Sequence, residues 1–148
     1  DGITEGIINL GGNVLTVGPK KSGDTYKIGI QTPFDDSGSP IASVDITDAS
    51  LVSSGVYERY FEKDGKRYHH ILNPKTGYPY ENGLLGVTII TDSSVDADAL
   101  STTCFALGLE DGMKLIENTK GAEAVFITED FTLHKSSGIG SEIPFHEN

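Results

Sequence analysis

Three short runs of the chain carry side chains able to do chemistry. In the first, Asp98 and Thr102 stand four residues apart, which on a helix puts a carboxylate and a hydroxyl on one face, one turn from each other. Two hard oxygens suit magnesium, which takes few protein ligands and keeps water and substrate phosphates. Asp98 is expected in the first turn of that helix, where the dipole favours an anion. The same spacing also describes an ordinary acidic helix start, with Asp92, Ser93, Ser94 and Asp96 supplying caps and Thr102 bonding back to the carbonyl of Asp98. Spacing alone favours that plainer account.

The second run is His69-His70, followed by Ile71-Leu72-Asn73-Pro74-Lys75-Thr76-Gly77-Tyr78-Pro79. Neighbours on a strand face opposite ways, so at most one histidine addresses a given site. A histidine suits proton transfer or donation to a phosphate, although a surface histidine beside a partly buried one explains the pair as well. The turn that follows, with a proline on either side of a glycine, is rigid enough to shape a pocket or simply to reverse the chain. In the third run, Ser54-Gly55 leads towards Arg59. The small pair could admit a ligand to the backbone and Arg59 could meet an anion; a strand bend with a cross-strand salt bridge is the plainer alternative.

Composition narrows the classes. A chain of 148 residues with 36% apolar and 22% charged content is one globular domain with room for a core. No stretch approaches the roughly 18 apolar residues of a membrane span, and no signal peptide opens the sequence. Starting at Asp1 without Met, it reads as a mature or trimmed product. The net charge of −11, from 22 acidic against 11 basic residues, argues against nucleic acid as a partner. It also means that an anionic substrate needs a metal or local donors to hold it. Cys104 is the single cysteine, so no internal disulfide forms, and its apolar setting predicts a buried helix residue. Dinucleotide-fold glycines, a phosphate-loop lysine motif and a nucleophile elbow are all missing from the sequence.

The elements that must position these residues follow from periodicity. Residues 6–17 read as a strand interrupted by Gly11-Gly12, with a turn at 19–24 and a strand at 26–32 completing a hairpin. Residues 33–40 are a loop and 43–53 a β stretch. Strands at 57–63 and 66–72 flank Asp64-Gly65, a type I′ turn signal. After the loop at 75–83, residues 84–91 form a buried strand. One helix is expected over 96–107, with Leu100, Cys104 and Leu107 at helical spacing, and a second over about 110–119, supported by Glu110 and Lys114. A hairpin around Glu129-Asp130 closes the fold, and the last dozen residues form a tail. The class is α+β, mostly antiparallel β-sheet with two consecutive helices near the C-terminus.

Taken together and in this order, the runs resemble the ApbE family of flavin transferases. The likeness is carried by Ser54-Gly55-x-Tyr57-x-Arg59-Tyr60, by His69-His70-Ile71-Leu72-Asn73-Pro74-x-Thr76-Gly77-Tyr78-Pro79, and by Ala97-Asp98-Ala99-Leu100-Ser101-Thr102. Val87 to Ile90, Phe105-Ala106-Leu107-Gly108 and the opening Ile8-Asn9-Leu10-Gly11-Gly12-Asn13-Val14 also fit. The resemblance implies an ApbE-like architecture related to the T-fold. It implies magnesium-dependent transfer of FMN from FAD to a threonine of a target protein, with release of AMP. Asp98 and Thr102 then become metal ligands, His70 the catalytic group near the phosphates, and His70, Ile71, Leu72, Ser54 and Gly55 the flavin-binding residues. His69 receives no role.

The resemblance also implies members about twice as long. Their preceding part contributes flavin contacts and a further metal ligand, so residues 1–148 are expected to be one domain forming the C-terminal portion, with little activity alone. Members are typically exported and lipid-anchored, which implies an extracytoplasmic, envelope-associated location. Two alternatives remain: magnesium-dependent hydrolysis of FAD to FMN and AMP, and a non-catalytic extracellular module binding calcium, glycan or protein through acidic residues 34–37 and 92–98.

Overall fold

The computed structural model describes residues 2–35 and 37–148. Residues 6–17 form two strands rather than one, β1 (Gly6–Asn9) and β2 (Asn13–Val17), paired antiparallel. Gly11 and Gly12 turn the chain between them at φ 67° and 94°, values that a Cβ would strain. The third strand, β3 (Tyr26–Gln31), does not complete the expected hairpin with them. It pairs with β4 (Pro40–Ile46) instead. The β stretch expected over 43–53 is likewise divided. After β4 the chain turns through Asp48, at φ 48°, and enters β5 (Ser50–Gly55) in a different sheet. The Asp48 carboxylate holds that turn by accepting the Gly18 N–H at 2.6 Å. Alternation reveals a strand but not its neighbour, and for that reason neither pairing follows from the pattern of the chain.

Strands β6 (Tyr60–Lys63) and β7 (Lys66–His69) form the hairpin that Asp64-Gly65 predicts. Both turn residues take positive φ, 52° and 74°, as a type I′ turn requires. Strand β8 (Leu84–Thr91) is buried at every position. Two helices follow, α1 (Ser94–Leu107) and α2 (Leu109–Glu117), then β9 (Glu123–Thr128), β10 (Leu133–Lys135) and β11 (Phe145–Glu147).

The main sheet runs β1-β2-β5-β8-β9-β10, antiparallel throughout, beside a three-stranded sheet β11-β4-β3 and the separate β6-β7 hairpin. The predicted α+β class therefore holds. The closing residues are not a tail, because β11 pairs with β4. Before it, the chain is tied down where Glu117 accepts the Ser137 N–H at 2.7 Å and Glu123 accepts the Gly138 N–H at 3.0 Å.

Helix α1 lies on β5 and β8, and α2 packs beside it on β9. The buried stripe of α1 is Ala97, Ser101, Cys104 and Phe105, whereas Leu107, expected in the core, is 47% exposed. Small residues on this stripe let the helix approach the sheet closely, and helical spacing places Leu107 beside the stripe, where it lines a cavity. Cys104 is buried as expected, and burial pushes its thiol up to about 11. Lys114 pairs with Asp111 at 3.1 Å rather than with Glu110. Gly108, at φ 83°, ends α1 and starts α2 in one residue, donating its N–H to the carbonyls of Cys104 and Phe105.

Gly112 sets the spacing of the helical layer. A Cβ there would lie 2.9 Å from both the Cys104 carbonyl oxygen and the Phe126 ring. Helix propensity favours alanine by about 1 kcal/mol, but overpacking a well-filled core costs about 1–3 kcal/mol. Gly112→Ala is therefore expected to lower the unfolding free energy in urea. A neutral or stabilising result would mean that α1, α2 and β9 are not tightly seated.

Candidate active site

The site begins at the junction of β8 and α1. Ser93 caps the helix by accepting the Asp96 N–H at 3.3 Å, so α1 starts at Ser94, two residues earlier than expected. Asp96, not Asp98, occupies the first turn where the dipole favours an anion. Asp98 sits in the second turn, exposed, and among the described residues no hydrogen bond or ion pair engages its carboxylate. Thr102 does not bond back along the helix. Its neighbours do so instead, Ser101 to the Asp98 carbonyl at 3.0 Å and Thr103 to the Ala99 carbonyl at 2.7 Å. The Thr102 hydroxyl lies 3.2 Å from that of Ser54, which is 2.8 Å from the Ser101 hydroxyl. Hard oxygens from a strand and a helix thus meet on one side of α1, one turn from a free carboxylate.

The adjacent glycine has a different task. Gly55 pairs with Gly86 across β5 and β8, and a side chain at Gly55 would run into the Tyr57 ring. The space left by the missing side chain is thus filled by this chain's own aromatic rather than left open to a ligand. Burial, and then the charge of Glu58, pushes the Tyr57 hydroxyl up to about 12. Arg59 forms no cross-strand salt bridge among the described residues. That pair is made instead by Arg67 and Glu62 at 3.1 Å across the hairpin.

The two histidines separate cleanly. His69 is buried, with Nε2 2.9 Å from the Tyr80 carbonyl, Nδ1 accepting the Ile71 N–H at 3.3 Å, and its ring in a T-shaped contact with Phe105 of α1, centroids 5.7 Å apart. A carbonyl can only accept, so Nε2 carries the proton and the neutral ring is fully used. His70 points the other way and is exposed. Its Nδ1 lies 3.2 Å from the Arg59 carbonyl, which by the same reasoning makes Nδ1 the donor and leaves Nε2 with a free lone pair.

His70, Ile71 and Leu72 line a cavity of about 460 Å³ whose opposite wall is Thr102, Thr103 and Leu107 of α1. The fold therefore gathers four of the predicted residues directly and Ser54 through its hydroxyl contact with Thr102. Asp98 belongs by helical spacing and does not line the cavity. The turn after Leu72 is rigid: the Asn73 carbonyl accepts N–H groups of Thr76 and Gly77, and the Tyr78 carbonyl accepts that of Asn73 at 2.8 Å.

Residues 1–126 match the ApbE family. The chain belongs to the ApbE family. It is 43% identical over 135 residues to an FAD:protein FMN transferase of Klebsiella pneumoniae, covering 91% of this chain and 41% of that protein. An FAD:protein FMN transferase of Treponema pallidum is 40% identical over 142 residues, covering 90% and 39%. The ApbE protein of Thermotoga maritima aligns with a TM-score of 0.80 at 36% identity, covering 90% of this chain and 43% of that one. The apo flavinyl transferase ApbE of Pseudomonas stutzeri gives a TM-score of 0.74 at 32% identity, covering 94% and 43%. This ApbE-family chain spans about two-fifths of the length of the curated relatives it matches.

The acidic loop of the binding-module alternative is in part bonded within itself. The Asp35 carboxylate is taken up by the Ser37 N–H and hydroxyl, at 2.8 and 2.7 Å, and these bonds hold it below the usual carboxylate range. Asp36 lies outside the described residues. Among the described residues no cluster of three or more His, Cys, Asp or Glu is arranged to hold a metal, and no helix is long and apolar enough to cross a membrane.

Sequence reasoning missed Ser101 and the structural use of His69. It also missed the bond from the Ser94 hydroxyl to Asn13 at 2.6 Å, which ties the start of α1 to β2. None of these carries a pattern, because each depends on a neighbour far away in the chain.

The structural role of His69 has a pH signature. Burial lowers its pKa below the ordinary 6.5, aided by the charge of His70 and opposed by the Tyr80 carbonyl and Glu81. The unfolded chain therefore takes up the proton first, so stability is full above about 6.5 and declines as pH falls towards the folded value. His69→Gln keeps an N–H for the Tyr80 carbonyl but cannot take up a proton. Thermal melts between pH 7.5 and 5 are expected to fall less steeply for this variant than for the parent. Parallel declines would assign the acid sensitivity elsewhere.

Proposed function

We propose that the chain forms part of a magnesium-dependent enzyme transferring the FMN moiety of FAD to a threonine of a target protein, with release of AMP. The observation that carries this reading is a free carboxylate and a hydroxyl, Asp98 and Thr102, one turn apart on α1, with Thr102 facing His70 across a cavity. FAD is the substrate that the names of the relatives state for those proteins.

The donor set fits magnesium. Asp98 and Thr102 offer hard oxygens, with Ser54 beside Thr102 at 3.2 Å, and few protein ligands suffice for this ion. When bound, the ion supplies charge neutralisation for the pyrophosphate as it is cleaved, which answers how so acidic a chain could hold an anion. The residues of the chain do the rest. Ile71 and Leu72 give the flavin an apolar wall, and Ser54 orients the Thr102 hydroxyl. Gly55 contributes by admitting the Tyr57 ring. His70 holds Nε2 ready for the proton of the attacking hydroxyl. The threonine oxygen forms a bond to the FMN phosphorus, the bond from that phosphorus to the bridging oxygen breaks, and AMP leaves with the electron pair.

The test uses two polypeptides: this chain alone, and the Klebsiella pneumoniae relative with its matching stretch replaced by this chain. With FAD, magnesium and a threonine-bearing target, the replacement protein is expected to attach FMN, and the chain alone to do so barely. Robust transfer by the chain alone would overturn the view that it holds only part of the site. In the replacement protein, Asp98→Ala should cost about a hundredfold or more, the several kcal/mol that a lost metal represents, with the melting temperature kept. Unchanged transfer would remove Asp98 from the site. Free FMN and AMP formed without attachment would identify hydrolysis as the reaction.

A further inference from the structure

Transfer to a protein demands more than a pocket for FAD. The acceptor is a polypeptide, and its hydroxyl must reach the cavity of His70, so the surface that receives it must adjoin that cavity. Two other clefts share lining with it. One, entered through Tyr80, is about 160 Å³ and lined by Glu81 and Glu129. The other, entered through Leu72, is about 430 Å³ and runs between the β6-β7 hairpin and the rigid turn, walled by Phe61, Tyr68, Tyr78 and Pro79. A larger groove on α2 with β10 and a smaller one at the start of α1 share no residue with the His70 cavity.

The second cleft is walled by exposed aromatic rings. Phe61 and Tyr68 stack face to face at 5.1 Å, while Phe61 and Tyr78 remain 61% and 64% exposed. Large apolar rings held rigid and left in water characterise a binding surface, not a core. The hairpin is also a two-stranded sheet to which no further strand pairs among the described residues, the kind of backbone to which an extended polypeptide adds.

Charge gives the partner its sign. Residues 59–75 hold five of the 11 basic residues, Arg59, Lys63, Lys66, Arg67 and Lys75, against only Glu62 and Asp64, in a chain of net −11. Arg67 and Lys66 are paired, with Glu62 and Glu81. Lys63, which lines the cleft, makes no salt bridge among the described residues. Arg67 lies over Phe34 and Tyr60 on the other side of the hairpin, whereas Lys63, with Lys66 opposite it in the hairpin, puts positive charge beside Phe61 and Tyr68, which favours an acidic partner.

We propose that the cleft of Phe61, Tyr68 and Tyr78 is the docking site of the acceptor, received as an extended segment in which acidic residues flank the threonine. This rests on the transferase reading above. Leu72, common to both cavities, then forms the threshold over which the threonine passes to His70.

The test measures binding separately from flavin chemistry. The probes are two fluorescein-labelled peptides with a central threonine and flanking leucines, one bearing aspartates and the other lysines at the same positions. The acidic peptide should bind the chain about tenfold or more tightly than the basic one, and Lys63→Glu should narrow or reverse that ratio. The Phe61→Ser, Tyr78→Ser double variant, altered only at exposed rings, should weaken the acidic peptide by a similar factor. In the replacement protein the same double variant should raise KM for a peptide acceptor and leave KM for FAD unchanged.

Equal binding of the two peptides, or indifference to both sets of substitutions, would overturn the docking proposal and leave the transferase reading standing. A double variant that melts earlier in the replacement protein and keeps its acceptor KM would also overturn it, by showing that the cleft packs against the rest of that polypeptide. Peptide binding as expected, but with no flavin attachment and no effect of Asp98→Ala, would instead defeat the transferase reading.

Discussion

Every distance in the candidate site depends on how closely α1 sits on β5 and β8. Ala97, Ser101, Cys104 and Phe105 are the residues it buries, and three of the four are small. A larger side chain at Ala97 or Ser101 would lift the helix from the sheet, and Thr102 would leave the Ser54 hydroxyl. The fourth residue, Phe105, does two jobs. It fills the layer between helix and sheet, and its ring meets that of His69 in a T-shaped contact. Through that ring the helix carrying Asp98 and Thr102 is coupled to the strand end carrying His70.

His69 and His70 illustrate how adjacent identical residues acquire opposite tasks. The alternation of a strand sends one ring into the core and the other to the cavity. The buried ring satisfies both nitrogens within the chain, binding the Tyr80 carbonyl and the Ile71 N–H. The exposed ring spends only Nδ1, on the Arg59 carbonyl. The same hairpin that supports them also concentrates the basic residues of an otherwise acidic protein. Thr102 of the proposed metal pair lines the cavity of His70, and Lys63 of the hairpin lines the neighbouring cleft that shares Leu72 with it.

Much of this is legible in the residues alone. The Asp64-Gly65 turn, the buried strand at 84–91, two helices divided by Gly108 and a buried Cys104 all follow from rules that act within a few residues. The run from His69 to Pro79 and the Asp98/Thr102 pair stand out as a family likeness, although spacing alone leaves the pair an ordinary capped helix start. What the structure changes is local as well as global. The helix begins two residues early, so Asp98 moves out of the capping turn, and Ser101 takes the backbone bond expected of Thr102.

The sequence by itself determined which residues turn, alternate or coil, because those preferences come from each residue and its near neighbours. Only the tertiary structure decided which strands pair, why β3 joins β4 rather than β2, and which side of α1 faces the sheet. It also decided that Gly55 makes room for Tyr57 and that Ser54 meets Thr102. Those outcomes are contacts between residues dozens of positions apart, set by the close packing of a shared core, and no short-range pattern encodes them.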